Sequence, residues 1–499
     1  MDLRRRTFLH GAATATAILA APGLIGRANA AGFVPESGEP FRPLPELDAR
    51  DDFALRTMRG STSFAGGPPS STKGFEGDYL GPTLRMRRGT TVSASVVNGT
   101  DAPISSHWHG LNVPSNADGG APQAIVAPGA TFRASLPVDQ PAATLWYHTH
   151  VHGRTAPDVH AGLAGALIVE DELSDRLPLP RTAGVDDLVL VLQDKTFDAH
   201  GRARYDPGMM GVMHGVVGDT VLVNGQFAPV AKVPRGLVRL RIVNAGTGAS
   251  MRLSFGGDGH LVATDQGLLQ APIPVNGVSL ASGERAEVVL DLRNATSRSV
   301  TVEPMPASGM GMGRSMQGGM GGMHDGMTGT SSTDPARDRT LIGLRTDPAL
   351  PAVSVLPARL APDDETVMAD GPLREFVLAT GMGMGNMMRG MLGMQTMTIN
   401  GRVYDPDRID FTARRGTTER WKVSGQHMGH PFHAHGVKFR VVDPQRPEET
   451  GWKDTVMVDG PRELLVRIEA SSVDRVPFMF HCHILEHEDA GMMGQFLVA

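Results

Sequence analysis

The stretch His481-Cys482-His483-Ile484-Leu485-Glu486-His487-Glu488-Asp489-Ala490-Gly491-Met492, close to the end of a 499-residue chain, contains its single cysteine. One cysteine excludes an intrachain disulfide, so Cys482 is either a buried thiol or a ligand. Its neighbours decide between the two: His487 follows five residues on, Met492 ten on, and His430 stands upstream. A thiolate, two imidazoles and a weakly held thioether form the donor set that selects copper and makes a blue electron-transfer site. Zinc could take the first three donors but carries no electron. Successive side chains of a strand point to opposite faces. Cys482 therefore faces away from His481 and His483, and one short run serves two sites.

Working outward, His-x-His occurs four times: His107/His109, His148/His150, His433/His435 and His481/His483. Each unit on a strand presents two imidazoles to one side. Eight imidazoles are too many for one zinc, which takes four ligands, whereas three coppers would share them as two, three and three. His10, His160, His200, His214, His260 and His324 follow no such pattern, and His152 and His427 are placed near the sites without a ligand role.

Short valine-rich runs such as TVSASVVNG, VLVLQD, LVRLRIVNAG and KFRVVD, separated by Gly, Pro and Asn, read as strands of sandwiches or small barrels. A repeat underlies them. Arg88-Gly89-Thr90, Arg235-Gly236-Leu237 and Arg415-Gly416-Thr417 each precede a strand, at spacings of 147 and 180 residues. Domains are accordingly expected at 50–172, 180–346 and 370–499, with 347–369 as linker. The segment 148–170 parallels 481–499, with Thr149 where Cys482 stands, and the middle domain has no matching histidines. Metal chemistry is thus assigned to the outer domains, leaving the middle one to packing, spacing and substrate-side surface.

Composition is that of an ordinary soluble protein, 40% hydrophobic and 20% charged, and a net charge of −6 gives no reason to expect nucleic acid or an anionic membrane surface as the main partner. Residues 1–30, with Arg4-Arg5-Arg6-Thr7-Phe8-Leu9, a short apolar stretch and Ala28-Asn29-Ala30, read as an export signal of twin-arginine character. A periplasmic monomer without stable membrane insertion is expected. Two methionine-rich runs, at 305–327 and 382–397, are too Gly-rich or irregular for core helices. Soft thioethers favour Cu(I), so these runs are read as collectors of additional labile copper.

Through SSHWHGLNVPSNADGGAPQ, TLWYHTHVHG, HPFHAHG, GWKDTV and HCHILEHEDAGMM, nearly the whole chain resembles the multicopper oxidases, and within them the bacterial copper-resistance oxidases that act on Cu(I). The resemblance implies an all-β chain of three cupredoxin-like Greek-key domains holding four copper ions. It implies that His107 and His433 hold type 2 copper, with His109, His148 and His483 on one type 3 copper and His150, His435 and His481 on the other. His430, Cys482, His487 and Met492 would hold type 1 copper. Asp118 and Glu488 match the family's proton-relay positions, while Glu486 and Asp489 are read as structural or surface groups.

The chain departs from the enterobacterial copper oxidases of the family in where its methionines lie and in the condensed stretch SGQHMGHPFH, so that Met428, with Met382 and Met384, is the expected substrate-copper set. The expected function is oxidation of Cu(I) coupled to reduction of O2 to water, contributing to periplasmic copper tolerance. The alternatives are a laccase-like oxidase of phenolic reductants and a non-catalytic copper-binding protein, such as the division-associated relatives that have lost copper ligands. A filled ligand set argues against the last.

Overall fold

The computed structural model describes residues 38–120, 122–306, 339–362, 367–380 and 397–499. The expected export signal, most of both methionine-rich runs, and His10, His324, Met382 and Met384 lie outside the described residues.

The repeat seen in the sequence is a repeat of strand pairing. The strand after Arg88-Gly89-Thr90, Thr91–Asn98, runs parallel to Asp52–Ser63 and antiparallel to Thr131–Pro137. The strand after Arg235-Gly236, Leu237–Asn244, is parallel to Asp187–Phe197 and antiparallel to Arg285–Asp291. The third, Thr418–Gln426, is parallel to Leu373–Ala379 and antiparallel to Arg462–Ile468. Gly89 and Gly416 turn the chain into these strands at φ of 88° and 81°, a region that side chains avoid.

These pairings build an all-β chain of three cupredoxin-like domains. The first packs two four-stranded sheets around Phe53, Leu84, Val96, Trp108, Leu145 and Leu167. The middle domain is one continuous ten-stranded sheet, two of whose strands branch off the main path, enclosing Leu190, Leu240, Met251, Val288 and Leu344. The third packs two five-stranded sheets around Phe376, Trp421, Phe432, Phe480 and Phe496. The described part of the expected linker lies against the middle domain: Leu360 is buried with Leu179, Leu237, Val262 and Val289.

Alternation is legible where a strand has one wet face. In Asp52–Ser63 buried and exposed residues alternate over the first six positions. Leu237–Asn244 is instead buried on every residue, including Arg239 and Arg241. Those two cations are tolerated because each finds a buried carboxylate: Arg239 pairs with Glu287, and Arg241 with Asp187 at 2.7 Å and Glu287 at 3.0 Å.

Trp421 centres the third core. It is fully buried, lies 4.9 Å from Phe376, meets Phe411 edge-on, and donates its indole N–H to Glu419 at 2.8 Å. Trp421→Ala is expected to cost about 3–5 kcal/mol, as large-to-small substitutions of buried aromatics do. Chemical denaturation of the copper-free protein reads this out, and a loss under about 1 kcal/mol would show that the cavity collapses freely.

Candidate metal centre

Strand parity sorts the third domain's histidines. His430–Ala434 pairs antiparallel with Phe478–Cys482, so that Phe432 stands opposite Cys482 and His433 opposite His481. His430 shares the parity of Phe432 and lies on the Cys482 side; His433 and His435 lie on the His481 side. The result is two separate clusters on either side of one sheet.

On one side, Cys482 Sγ lies 3.5 Å from His430 Nδ1 and 3.6 Å from His487 Nδ1. Met492 is buried in the same core, and its backbone carbonyl accepts from Cys482 N at 3.1 Å. Burial pushes the Cys482 thiol well above its usual range, a cost that a coordinating cation reverses by deprotonating the thiol outright. Burial likewise lowers His430 to about 4 and holds His487 well below the ordinary imidazole value, so both rings offer lone pairs at neutral pH. Met428 sits partly buried beside this cluster, and His427 is exposed.

On the other side, all eight imidazoles of the His-x-His units are buried together between the first and third domains. His107 stacks on His435 and His109 on His433, both at 3.8 Å between ring centroids. Three triads each have ligand atoms within 4.8 Å of one another: His107, His433 and His435; His109, His148 and His483; and His150, His435 and His481, the first and last sharing His435. Burial first, then neighbouring imidazoles, depress His109, His148, His435 and His481 far below their usual value.

The test of fit for metal lies in the other ring nitrogen. Nε2 of His107, His109, His148, His433 and His483 is buried without any hydrogen-bond partner. Nε2 of His481 faces Nε2 of both His150 and His435 at 3.2 Å. Most Nδ1 atoms, by contrast, are engaged outward: His107 with Asp118 O at 3.1 Å, His148 with Thr149 O at 2.8 Å, His433 with Asp454 O at 2.8 Å, His435 with Asp118 Oδ2 at 2.8 Å, and His481 with Cys482 O at 3.1 Å. Buried polar atoms without partners are costly and rare. A convergent set of imidazole lone pairs, with the opposite nitrogens fixed, is what a metal cluster requires.

Two acids border the cluster. Asp118 is buried against His435 and 3.4 Å from His107 Nδ1. Glu488, fully buried, accepts from Thr155 Oγ1 at 2.7 Å and lies 3.7 Å from His150 Nδ1. Its Oε2 is 3.2 Å from His481 Nδ1 without hydrogen-bond geometry. Burial, then the charge of Asp489, drives Glu488 well above the usual carboxylate range. Glu486 is not a surface group: it is buried and accepts from Tyr205 at 3.0 Å. Asp489 accepts from Thr155 N and Ala156 N, capping the helix Thr155–His160 and tying the first domain to the third.

The middle domain is more than a spacer. The Met213 carbonyl lies 3.2 Å from His487 Nε2, which places the helix Gly208–His214 over the fully buried His487. Ser282, Arg285 and, from the third domain, Asp454 also reach the histidines. None carries a sequence signal for such a role, although Asp454 stands inside the quoted GWKDTV.

This fold, with one thiolate-imidazole set and one eight-imidazole cluster, defines a copper-protein architecture. Family models described as multicopper oxidase match residues 57–174 and 379–499, and the chain belongs to the multicopper oxidase family. It is 37% identical to cell division protein FtsP of Escherichia coli (strain K12), over 100% of this chain and 99% of that one. It is 35% identical to cell division protein FtsP of Xenorhabdus nematophila, over 100% and 99%. Among solved structures it is similar to the laccase-like multicopper oxidase CueO of the lignin-degrading bacterium Ochrobactrum sp., with a TM-score of 0.81 and 35% identity over 92% of this chain and 100% of that one.

These relatives correct the expected function. Assignment as a Cu(I) oxidase serving copper tolerance, with phenol oxidation as its alternative, is overturned by full-length relatives that carry the name of a cell division protein. The physical reason is that donor atoms select a metal, whereas nothing in the donor set encodes the electron source or the process it serves. A filled donor set does not separate this chain from the division-associated branch.

Proposed function

We propose that this chain is a division-associated protein of the periplasm that carries a complete copper centre, and is a redox-active member of its branch rather than an empty scaffold. What supports this is one conjunction: a buried imidazole at every position of the cluster, five of the eight with a partnerless Nε2 and the other three with Nε2 atoms facing one another, in a chain that matches FtsP proteins end to end. In this proposal His430, Cys482, His487 and Met492 would hold one copper, and the eight His-x-His imidazoles three more, shared as the resemblance implies.

Copper so held would supply one-electron chemistry at Cys482 and, with oxygen as acceptor, its four-electron reduction at the cluster. The chain's own residues do the rest. Cys482 and His481 are adjacent, so few covalent bonds separate the two sites. Glu488, its carboxyl driven upward by burial, stands near His150 where it can pass a proton, with Thr155 fixing its orientation. Asp118 borders a crevice of about 10 Å³ also lined by His107, Asn112 and His435, the size of a single water. Among the described residues no helix is long and apolar enough to cross a membrane.

The test is genetic and chemical together. Deletion in the native host is expected to lengthen cells, with normal length restored by wild type and not by a variant lacking the cluster, His107→Ala with His433→Ala. Cells of unchanged length after deletion would sink the division role. Restoration by the cluster variant would sink the claim that copper serves it.

A further inference from the structure

The middle domain contributes none of the twelve expected ligands, yet one of its segments, Ala281-Ser282-Gly283-Glu284-Arg285, reaches the histidine cluster. Ser282 is fully buried. Its Oγ lies 2.5 Å from Gly246 O and 3.0 Å from His483 Nδ1. A hydroxyl has one proton to donate, and a carbonyl oxygen can only accept, so that proton goes to Gly246. Toward His483 the Ser282 oxygen can then only accept. This places the imidazole proton on Nδ1 and leaves Nε2, buried and without a partner, as a lone pair.

The rest of the segment holds that serine in place. Gly283 has φ of +87°, and a Cβ there would meet the His483 ring at 2.8 Å, so only glycine lets the backbone come this close. Arg285, fully buried, uses all five of its N–H groups. It grips both Asp454 oxygens at 2.6 Å, and donates to Gly283 O at 3.0 Å, Asp265 O at 2.9 Å and Thr144 O at 3.3 Å. One side chain therefore joins all three domains at the edge of the cluster. Asp454, so fixed, lies 3.5 Å from His433 Nδ1 and 3.7 Å from His109 Nδ1.

We infer that Ser282 is a positioning residue for copper at the His109, His148 and His483 triad, selecting the His483 tautomer that leaves Nε2 free to bind. The other triad containing His481 is supported differently, by Asp118 and Glu488. Loss of the Ser282 hydroxyl should thus weaken one copper and not its neighbours. This inference rests on the copper occupancy proposed above.

The experiment compares wild type, Ser282→Ala and Ser282→Thr, each loaded with copper and titrated with a chelator. In Ser282→Ala one equivalent is expected to leave at about 10- to 100-fold lower chelator concentration, the usual effect of losing a partner behind a ligating histidine. Its departure breaks a coupled Cu(II) pair, so a new electron-paramagnetic signal from the remaining ion should appear while the Cys482 absorption band stays unchanged. Ser282→Thr keeps the hydroxyl and should behave as wild type. Matching melting curves of the copper-free proteins serve as the folding control. Equal retention of copper by Ser282→Ala and wild type would overturn the inference, as would equal loss in the Ala and Thr variants. Wild type that binds fewer than four coppers would instead overturn the occupancy on which it rests.

Discussion

Cys482→Ser is expected to lower the copper bound to the loaded protein by one ion, from the proposed four to three, and to abolish its intense visible absorption. Sγ is the only sulfur anion available to a metal here, 3.5 Å and 3.6 Å from the two imidazoles of its set. A hydroxyl in its place keeps the volume but supplies neither the soft donor nor the charge-transfer band that a thiolate gives to copper. The eight imidazoles on the opposite face of the sheet are untouched, so the remaining three ions should stay. Metal analysis and an absorption spectrum decide the matter. A variant that keeps both four ions and the visible band would remove the mononuclear site, and with it any electron entrance, from this protein.

The second large effect lies away from the metal. Arg241→Met is expected to destabilise the protein by about 3–5 kcal/mol, because it leaves Asp187 and Glu287 buried with one cation fewer. Arg241 also donates to Thr144 at 3.0 Å, so the loss reaches the contact between the first and middle domains. The pH dependence has a definite sign. Burial alone would raise the Glu287 carboxyl, but the charges of Arg239 and then Arg241 outweigh it and bring the group down to about 2 from an ordinary 4.5. A carboxylate depressed by folding contributes stability that is fully present above its unfolded value and disappears as pH falls through the folded one. Wild type should therefore lose this contribution between pH 4.5 and about 2, and Arg241→Met should show a shallower decline across the same interval. Urea denaturation of the copper-free proteins at several pH values measures both. Equal slopes would assign the acid sensitivity to other carboxylates.

The two sites differ in how far the sequence discloses them. The His-x-His units are legible because strand alternation is local: residues two apart share a face whatever the rest of the chain does. The same rule separates Cys482 from His481. The strand repeat is legible for a similar reason, since the Arg-Gly turns recur at domain spacing and each begins a strand with one parallel and one antiparallel neighbour. Glu486 shows the limit. Its neighbours suggest solvent, yet the fold buries it beside Tyr205, 281 residues away in sequence, and that burial pushes its pKa up to about 7 although the Tyr205 hydrogen bond acts to lower it. Physiological role was less legible still, because relatives of different names match this chain over nearly its whole length.

By itself the sequence determined the three-fold strand repeat, the donor types, and the division of those donors between two faces of one sheet. These follow from residue identity and the two-residue period of extended backbone. Only the tertiary structure decided which Nδ1 atoms are held, which Nε2 atoms are left to converge, and that Ser282 and Arg285 of a domain without ligands stand behind them. Those contacts join residues far apart in the chain, 201 positions between Ser282 and His483 and 317 between Asp118 and His435. Their geometry depends on how whole domains pack, and no periodicity along the chain records it.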